Sequence, residues 1–318
     1  MSTATARATN TDLALRVSRK VPLSTDVVEI VLTGDAPLPS WSAGAHLEVQ
    51  CGDVRRQYSL CGDPLARDEY RIAVLREQES RGGSSFLHDV LDSDDTLPVS
   101  APRNSFELEL SPCYVFVAGG IGVTPIVTMV REAERRGADW ELHYGGRNRA
   151  TMAYLDQLES LGARVHVYPE DEIGLLPLDT LIGAARDDTL IYCCGPTPLL
   201  DAVERASVGW PAGALHIEHF KPLELDAGIE QPVEVTLDRS GLTVQVPSDR
   251  TLLEALNEAG ANLGSSCEVG TCGTCEVTVL SGIPDHRDSV LTPEERAENA
   301  YMLPCVSRAL TERLVLDL

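Results

Sequence analysis

Four cysteines near the end of the chain have the spacing of a metal-ligand set. Residues 267–275 read CEVGTCGTC, so that Cys267, Cys272 and Cys275 share one short loop, while Cys305 follows on a separate segment. Three thiolates from one loop and a distant fourth are typical of a [2Fe–2S] cluster. A structural zinc site usually pairs two short Cys-x2-Cys turns, and this segment has one. The pattern favours an iron–sulfur cluster over the alternatives, which are zinc and thiols that fill a core.

A glycine-rich turn in the middle of the chain could bind a pyrophosphate. The segment VFVAGGIGVTP runs from an apolar strand pattern through Gly119, Gly120 and Gly122 into a helix pattern that starts near Thr124 and Pro125. Glycines allow close approach, and the N–H groups at a helix start attract anions. Because the full G-x-G-x-x-G fingerprint is absent, a tight turn without a ligand is the alternative.

A second turn strengthens the dinucleotide interpretation. The sequence CCGP at 193–196 ends a later strand pattern of the same section. Together the two turns resemble the nicotinamide domain of the ferredoxin–NADP reductase superfamily. That resemblance implies that Cys194, Gly195 and Pro196 lie near the nicotinamide.

The segment that would face the adenosine ribose favours NADH over NADPH. Relatives that use NADPH carry a serine and an arginine there for the 2′-phosphate, whereas residues 168–172 read YPEDE. Carboxylates such as Asp171 repel a phosphate and can accept hydrogen bonds from a free ribose diol. Arg147 and Arg149, after the preceding strand pattern, could instead receive a phosphate, so NADPH stays open.

A motif in the first section could bind a flavin. Arg56, Tyr58 and Ser59 end a strand pattern as R-x-Y-S. Arginine can bind a flavin phosphate, tyrosine can pack on the ring, and a serine hydroxyl can bond at N5, where a hydride arrives. The motif is short enough to arise by chance, but its place ahead of the glycine-rich section favours a flavin. A second phosphate cradle, at a predicted helix start, would be formed by Gly82, Gly83, Ser84 and Ser85.

The superfamily resemblance adds further flavin contacts. It implies that Val74, Leu75 and Arg76 run beside the ring and that Phe220 closes one of its faces. A core phenylalanine is the alternative for Phe220. The residues expected at the reacting atoms are Ser59, Cys194 and Phe220.

The elements that must position these residues fall into three sections, since 318 residues are too many for one core. Residues 1–112 alternate in short strand-like runs and predict an antiparallel β-barrel for the flavin. Residues 113–225 alternate strand and helix patterns and predict a doubly wound parallel α/β sheet for the nucleotide. The stretch 221–232 is read as a linker.

The last section, residues 226–318, combines a predicted hairpin, a helix and further strands. The helix pattern TLLEALNEAG is expected to open at Ser248 or Asp249. With the cysteine loop, the section resembles a plant-type ferredoxin domain of the α+β β-grasp fold. The resemblance carries the four cysteines over as cluster ligands.

Composition excludes some partners. The formal net charge of −23 disfavours nucleic acid and membrane surfaces. The acidic excess either keeps the protein soluble or steers it to a basic patch on a partner. Because no apolar run approaches a signal peptide or a membrane span, we expect a cytoplasmic protein with reduced thiols. We also expect a monomer.

The order of the three sections resembles the phthalate dioxygenase reductase and vanillate demethylase reductase family over nearly the whole chain. The resemblance implies FMN, because related reductases with an N-terminal ferredoxin use FAD. It further implies an NADH:acceptor oxidoreductase that passes electrons from NADH through FMN and a [2Fe–2S] cluster, one at a time. The acceptor would be the terminal oxygenase of a Rieske-type aromatic dioxygenase or O-demethylase.

Three other functions stay open at this point. A bacterial cytochrome P450 could be the acceptor, because an acidic ferredoxin face suits a basic haem-protein surface. A non-catalytic redox sensor would use the cluster as a switch. A free flavin reductase would need no cluster.

Overall fold

The computed structural model describes residues 13–80, 82–220, 231–265 and 267–318. The chain divides into two compact units, Met1–Ile217 and Glu218–Leu318. Of the predicted linker, residues 221–230 lie outside the described residues. Within the described part, no helix combines the length and apolar character that a bilayer crossing requires.

Six antiparallel strands in the first unit form a nearly closed barrel, which confirms the predicted fold of this section. Alternating side chains such as Leu15 and Val17 fill its interior. A bridge between Leu60 and Ile72 brings the end of the fourth strand to the fifth. In sheet order the strands are β4 (Val54–Ser59), β3 (His46–Cys51), β6 (Thr96–Val99), β1 (Leu13–Pro22), β2 (Val27–Thr33) and β5 (Glu69–Leu75). The first helix, α1 (Gly83–Ser85), continues as a π-helical turn, Phe86–Val90.

The same unit contains the predicted parallel sheet. Four of its strands are parallel neighbours, and their carboxyl ends meet at one edge. In sheet order the strands are β11 (Leu215–Glu218), β10 (Thr189–Cys194), β7 (Cys113–Gly119), β8 (Asp139–Gly146) and β9 (Val165–Pro169). The helices are α2 (Val123–Arg136), α3 (Leu155–Glu159), α4 (Glu170–Ile173), α5 (Leu178–Leu181) and α6 (Thr197–Ala206).

One helix is shorter than its sequence pattern indicates. The pattern ATMAYLDQLESLG predicts a helix that begins near residue 150, but α3 begins at Leu155. Tyr154 just before it has φ of 59°, in the left-handed region. Because that conformation cannot continue a right-handed helix, the preceding residues form a separate 3₁₀ turn, Arg149–Thr151.

A shared core joins the barrel to the parallel sheet. Val27 and Ala73 from the barrel lie in the same buried cluster as Val127 and Val130 of α2. The backbone N–H of Gly44 also donates to the Thr128 hydroxyl at 3.3 Å. The two sheets therefore form one body.

The second unit has the predicted β-grasp fold. Its helix opens at Thr251 rather than at Ser248 or Asp249, because Thr251 and Glu254 form a reciprocal capping box. The main sheet, in order, consists of β13 (Leu242–Val246), β12 (Val233–Leu237), β18 (Arg313–Leu316), β14 (Val277–Ser281) and β16 (Tyr301–Met302). The remaining elements are β15 (Pro284–Asp285), β17 (Arg308–Ala309), α7 (Leu252–Glu258) and α8 (Pro293–Glu298).

Candidate functional site

The four predicted cluster cysteines lie in two pairs. The thiols of Cys267 and Cys272 are close enough to shift each other's pKa, and so are those of Cys275 and Cys305. In each pair the interaction with the partner thiol lowers the pKa of one thiol, that of Cys272 and that of Cys275, and raises the pKa of the other. Within the described ranges, no group of three or more His, Cys, Asp or Glu side chains is arranged to hold a single metal ion. Two soft sulfur pairs suit a binuclear iron–sulfur cluster, with one pair for each iron.

Backbone N–H groups of the loop point at these sulfurs. Those of Val269 and Thr271 lie 3.5 and 3.3 Å from Cys267 Sγ, and that of Thr274 lies 3.5 Å from Cys272 Sγ. Donors to ligand sulfur stabilise negative charge on it and tune the potential of the metal group. The loop is therefore suited to hold thiolates.

A buried carboxylate supports the loop from behind. Asp288 is fully buried, and its Oδ2 accepts the N–H groups of Val290 and Leu291 at 3.1 and 2.8 Å. The adjacent Ser289 N–H donates to the Gly270 carbonyl at 2.9 Å. A side chain at Gly270, whose φ is 75°, would lie 2.7 Å from Val306. Asp288 was not predicted, because no local pattern links it to the cysteines.

The two predicted flavin motifs lie side by side. A Cβ atom on Gly83 would fall 2.5 Å from Arg56 Cγ and 3.4 Å from the Tyr58 hydroxyl. The start of α1 is thus seated directly on β4, and Gly82 reaches it with φ of 94°. Arginine, tyrosine and glycine backbone together form a cradle that fits a flavin phosphate.

The two serines of this cradle hold its loop together. Ser84 Oγ accepts the Glu77 N–H at 3.2 Å and donates to Ser80 Oγ at 3.0 Å. The Ser85 N–H donates to the same Ser80 oxygen at 3.2 Å. Ser80, which the motif analysis missed, therefore organises the turn.

The other predicted flavin residues lie at the ends of β4 and β5. Ser59 is buried at the end of β4, and Val74 is buried beside the half-buried Leu75. Arg76 forms an ion pair with Asp89 through Nη2 and Oδ2 at 2.6 Å, which holds the π-helical turn against β5. Their contacts with a flavin stay predictions.

Phe220 belongs to the second unit, where its side chain is 41% exposed. The core alternative for this residue is therefore not supported, and its place beside the flavin stays a prediction.

The two predicted dinucleotide turns are in direct backbone contact. A Cβ atom on Gly122 would lie 2.3 Å from the Cys194 carbonyl oxygen, and one on Gly119 would lie 2.7 Å from Pro196 Cδ. One on Gly195 would lie 3.1 Å from Gly119 Cα. A side chain at any of these positions would crowd the facing turn, so glycine is what lets the two turns meet.

The remaining residues of this site shape the turn. Gly120 has φ of 53° and faces open space, where an anion could approach the backbone. Thr124 donates its hydroxyl to the Ile121 carbonyl at 3.0 Å, and Pro125 is buried in the first turn of α2. The Cys194 side chain is fully buried, so its carbonyl is the atom that reaches the turn.

Loops after β8 and β9 form the predicted ribose side of the site. The Asp171 N–H donates to the Arg147 carbonyl at 3.2 Å, which ties the two loops together. Arg149 is held by Glu159 at 2.8 Å and by Glu172 at 3.4 Å. Since two carboxylates match its charge, Arg149 is a poor receptor for a 2′-phosphate, and this arrangement supports NADH.

The flavin strand and the dinucleotide turn adjoin each other. Residues of β5 lie within 8 Å, Cα to Cα, of the Gly120–Gly122 turn. Leu75 and Ile121 pack against the same buried cluster. A nicotinamide held by the turn would therefore lie near β5, which carries the predicted flavin residues Val74 and Leu75.

Two family models match the chain. Residues 116–205 match an oxidoreductase NAD-binding domain, and residues 235–310 match a 2Fe-2S iron-sulfur cluster binding domain. The first match covers the glycine turn and the CCGP turn, and the second covers all four cysteines.

Two relatives are similar to nearly the whole chain. Phenoxybenzoate dioxygenase subunit beta from Ectopseudomonas oleovorans is 42% identical over 98% of this chain and 99% of its own. The crystal structure of phthalate dioxygenase reductase, described as modular for electron transfer from pyridine nucleotides to [2Fe–2S], has 36% identity and a TM-score of 0.70 over 96% of this chain and 98% of its own.

An intact type IV self-sufficient cytochrome P450 monooxygenase is also similar. Its crystal structure matches 96% of this chain with 46% identity and a TM-score of 0.89. This chain spans 41% of the length of that protein.

Proposed function

This chain belongs to the phthalate dioxygenase reductase family, and on that premise we propose that it carries electrons from NADH, through FMN and a [2Fe–2S] cluster, to a terminal oxygenase. It is an NADH:acceptor oxidoreductase, with an NAD-binding domain and a 2Fe-2S domain in one chain. The observation that carries the proposal is the adjacency of β5 and the Gly120–Gly122 turn in one body.

FMN, when bound, accepts a hydride from NADH and gives electrons up singly, as a one-electron cluster requires. The residues of the chain supply geometry for this chemistry. Arg56 and Gly83 would hold the flavin phosphate, and Ser59 would face N5 from the buried end of β4. Gly119, Gly122 and Gly195 let the two dinucleotide turns approach each other closely. A dinucleotide bound there would present its nicotinamide to the flavin.

In the second unit, the paired thiols of the four cysteines would hold the cluster. Cys267 is partly exposed whereas the other three are buried, so this side of the loop is open to a partner. The N–H groups that point at Cys267 and Cys272 would stabilise the added electron.

The acceptor that the relatives favour is the oxygenase of a dioxygenase or monooxygenase system. Phenoxybenzoate dioxygenase subunit beta and phthalate dioxygenase reductase both carry such names. A Rieske-type aromatic dioxygenase or O-demethylase is the acceptor we propose. The match to a cytochrome P450 monooxygenase makes a haem protein the second candidate. Cytoplasmic location and a monomeric state are further parts of the proposal.

Replacing Cys272 with serine tests the electron order. The variant should lose the visible absorption of the cluster and the NADH-driven reduction of cytochrome c, yet keep ferricyanide reduction through the flavin. Cys113→Ser, at a half-buried thiol in the first unit, is the matched control and should keep both activities. A Cys272→Ser protein that reduced cytochrome c at the wild-type rate would refute the order. Turnover with a purified Rieske oxygenase, compared with a bacterial P450, decides the acceptor.

A further inference from the structure

A single arginine on α2 holds the turn that follows the flavin motif. Arg131 Nη1 lies 2.8 Å from the Cys61 carbonyl oxygen and 2.9 Å from that of Gly62. These two carbonyls come two and three residues after Ser59. Hydrogen bonds from a charged donor at such distances are short and strong.

The charge of Arg131 is used differently from that of its neighbours. Arg135 and Arg136, on the same helix, both form ion pairs with Glu132. Arg131 has no ion pair with any residue in the described ranges, although the chain contains 49 acidic residues. Its donors go to neutral backbone oxygens, which positions a turn rather than balancing a charge.

The same turn is fixed from its other side. The Cys61 N–H donates to the Arg71 carbonyl at 2.8 Å, which ties the turn to β5. The buried Cys61 thiol donates to the Ser59 carbonyl at 3.3 Å, and the Tyr154 hydroxyl of the parallel-sheet part donates to the buried Glu29 carboxylate of the barrel at 2.8 Å. The turn is thus clamped between the barrel and the parallel sheet.

Helix α2 connects this clamp to the dinucleotide turn. It begins at Val123, directly after Gly122, and Arg131 lies eight residues further along. At ~1.5 Å per residue the helix spans about 12 Å between the two points. A hydrogen-bonded helix is stiff over that length, so Arg131 transmits the position of the glycine turn to the Ser59 strand end.

We propose that Arg131 is a positioning residue for hydride transfer, which sets the distance between the nicotinamide and the flavin without touching either. The inference rests on the proposed function. Hydride donor and acceptor must approach to about 3–3.5 Å, and a displacement near 1 Å costs roughly 100-fold in rate. Neither the R-x-Y-S motif nor the glycine turn contains this residue.

Arg131→Met removes the donors and keeps much of the packing volume. In anaerobic stopped-flow experiments, the limiting rate of flavin reduction by NADH, expressed per bound FMN, should fall about 10- to 100-fold. The NADH concentration that gives half of this limiting rate should change less than about 3-fold. The long-wavelength absorption of the nicotinamide–flavin complex should weaken. Photoreduction of the bound flavin, which does not involve NADH, should proceed at the wild-type rate. In the flavin-free protein, amide hydrogen exchange of residues 60–63 should accelerate.

Arg131→Lys should recover most of the rate, because an ammonium group can donate to both carbonyls. Arg135→Met, one turn away at the surface, is the matched control and should behave like the wild type. If Arg131→Met reduces its bound FMN at the wild-type rate, the inference is overturned, whatever the FMN content or stability of the variant. If the wild-type protein itself does not reduce FMN with NADH, it is the proposed function that fails.

Discussion

Alanine at Gly122 would place a methyl group 2.3 Å from the Cys194 carbonyl oxygen and 2.6 Å from the Gly195 nitrogen. Ordinary contacts begin at 3.4 Å, so the two turns must separate by about 1 Å. Both obstructing atoms belong to backbone, and no rotamer change can relieve the overlap. Overpacking of this kind costs about 1–3 kcal/mol of folding free energy. A shift near 1 Å at the nicotinamide site should slow hydride transfer roughly 100-fold.

Two measurements on Gly122→Ala check this reasoning. Thermal unfolding should show the loss of stability, and stopped-flow mixing with NADH should show slow flavin reduction with FMN still bound. Gly137→Ala is the control, because it ends the same helix with φ of 69° and nothing within 4 Å of the new methyl group. It should cost about 1–2 kcal/mol from backbone strain and leave flavin reduction intact.

Gly120→Ala separates packing from ligand approach. Its methyl group would meet nothing within 4 Å in the protein, at φ of 53°. This variant should therefore fold with only the cost of the left-handed backbone and yet bind NADH more weakly, because the methyl group occupies the space open to the pyrophosphate.

Normal stability and normal flavin reduction in Gly122→Ala would refute the argument from contact, and so would an equal loss of flavin reduction in Gly137→Ala.

Two further predictions concern charge. Replacing Glu159 and Glu172 together with glutamine releases Arg149 from its two carboxylates, so the KM for NADPH should fall several-fold relative to that for NADH; an unchanged ratio of the two constants would exclude Arg149 from coenzyme choice. Burial lowers the pKa of His143 from its ordinary value of 6.5, against the opposing pull of the Glu141 carboxylate. Below about pH 6.5 the unfolded chain therefore binds a proton that the native protein does not. The free energy of unfolding should decrease as the pH is lowered through that range. The difference in melting temperature between pH 7.5 and 5.5 should be smaller in His143→Gln than in the wild type, and equal differences would contradict the assignment.

The local motifs were readable from the sequence because each is built from neighbours along the chain. The spacing of Cys267, Cys272 and Cys275 fits one loop, and alternation of strand and helix patterns indicated the parallel sheet. The capping box of Thr251 and Glu254 was also present as T-x-x-E, a signal that predicts the correct helix start and was overlooked.

Other features depend on residues far apart in the chain. The helix predicted near residue 150 starts at Leu155 because Tyr154 adopts a left-handed backbone and places its hydroxyl on Glu29, in the barrel. Asp288 and Ser80 support their loops through contacts that follow no local period. Packing between distant elements overrides local preference at such positions.

The sequence by itself determined which chemistries the chain carries: thiolates for a cluster, a glycine turn for a dinucleotide and R-x-Y-S for a flavin. Only the tertiary structure decided how these parts meet. It paired Cys275 with Cys305, pressed Gly122 onto the Cys194 carbonyl, and placed Arg131 on the turn after Ser59. The physical reason is that the chemistry of a motif depends on residue types at short spacing along the chain. The distances between motifs depend instead on which apolar surfaces pack against each other and exclude water in the folded protein.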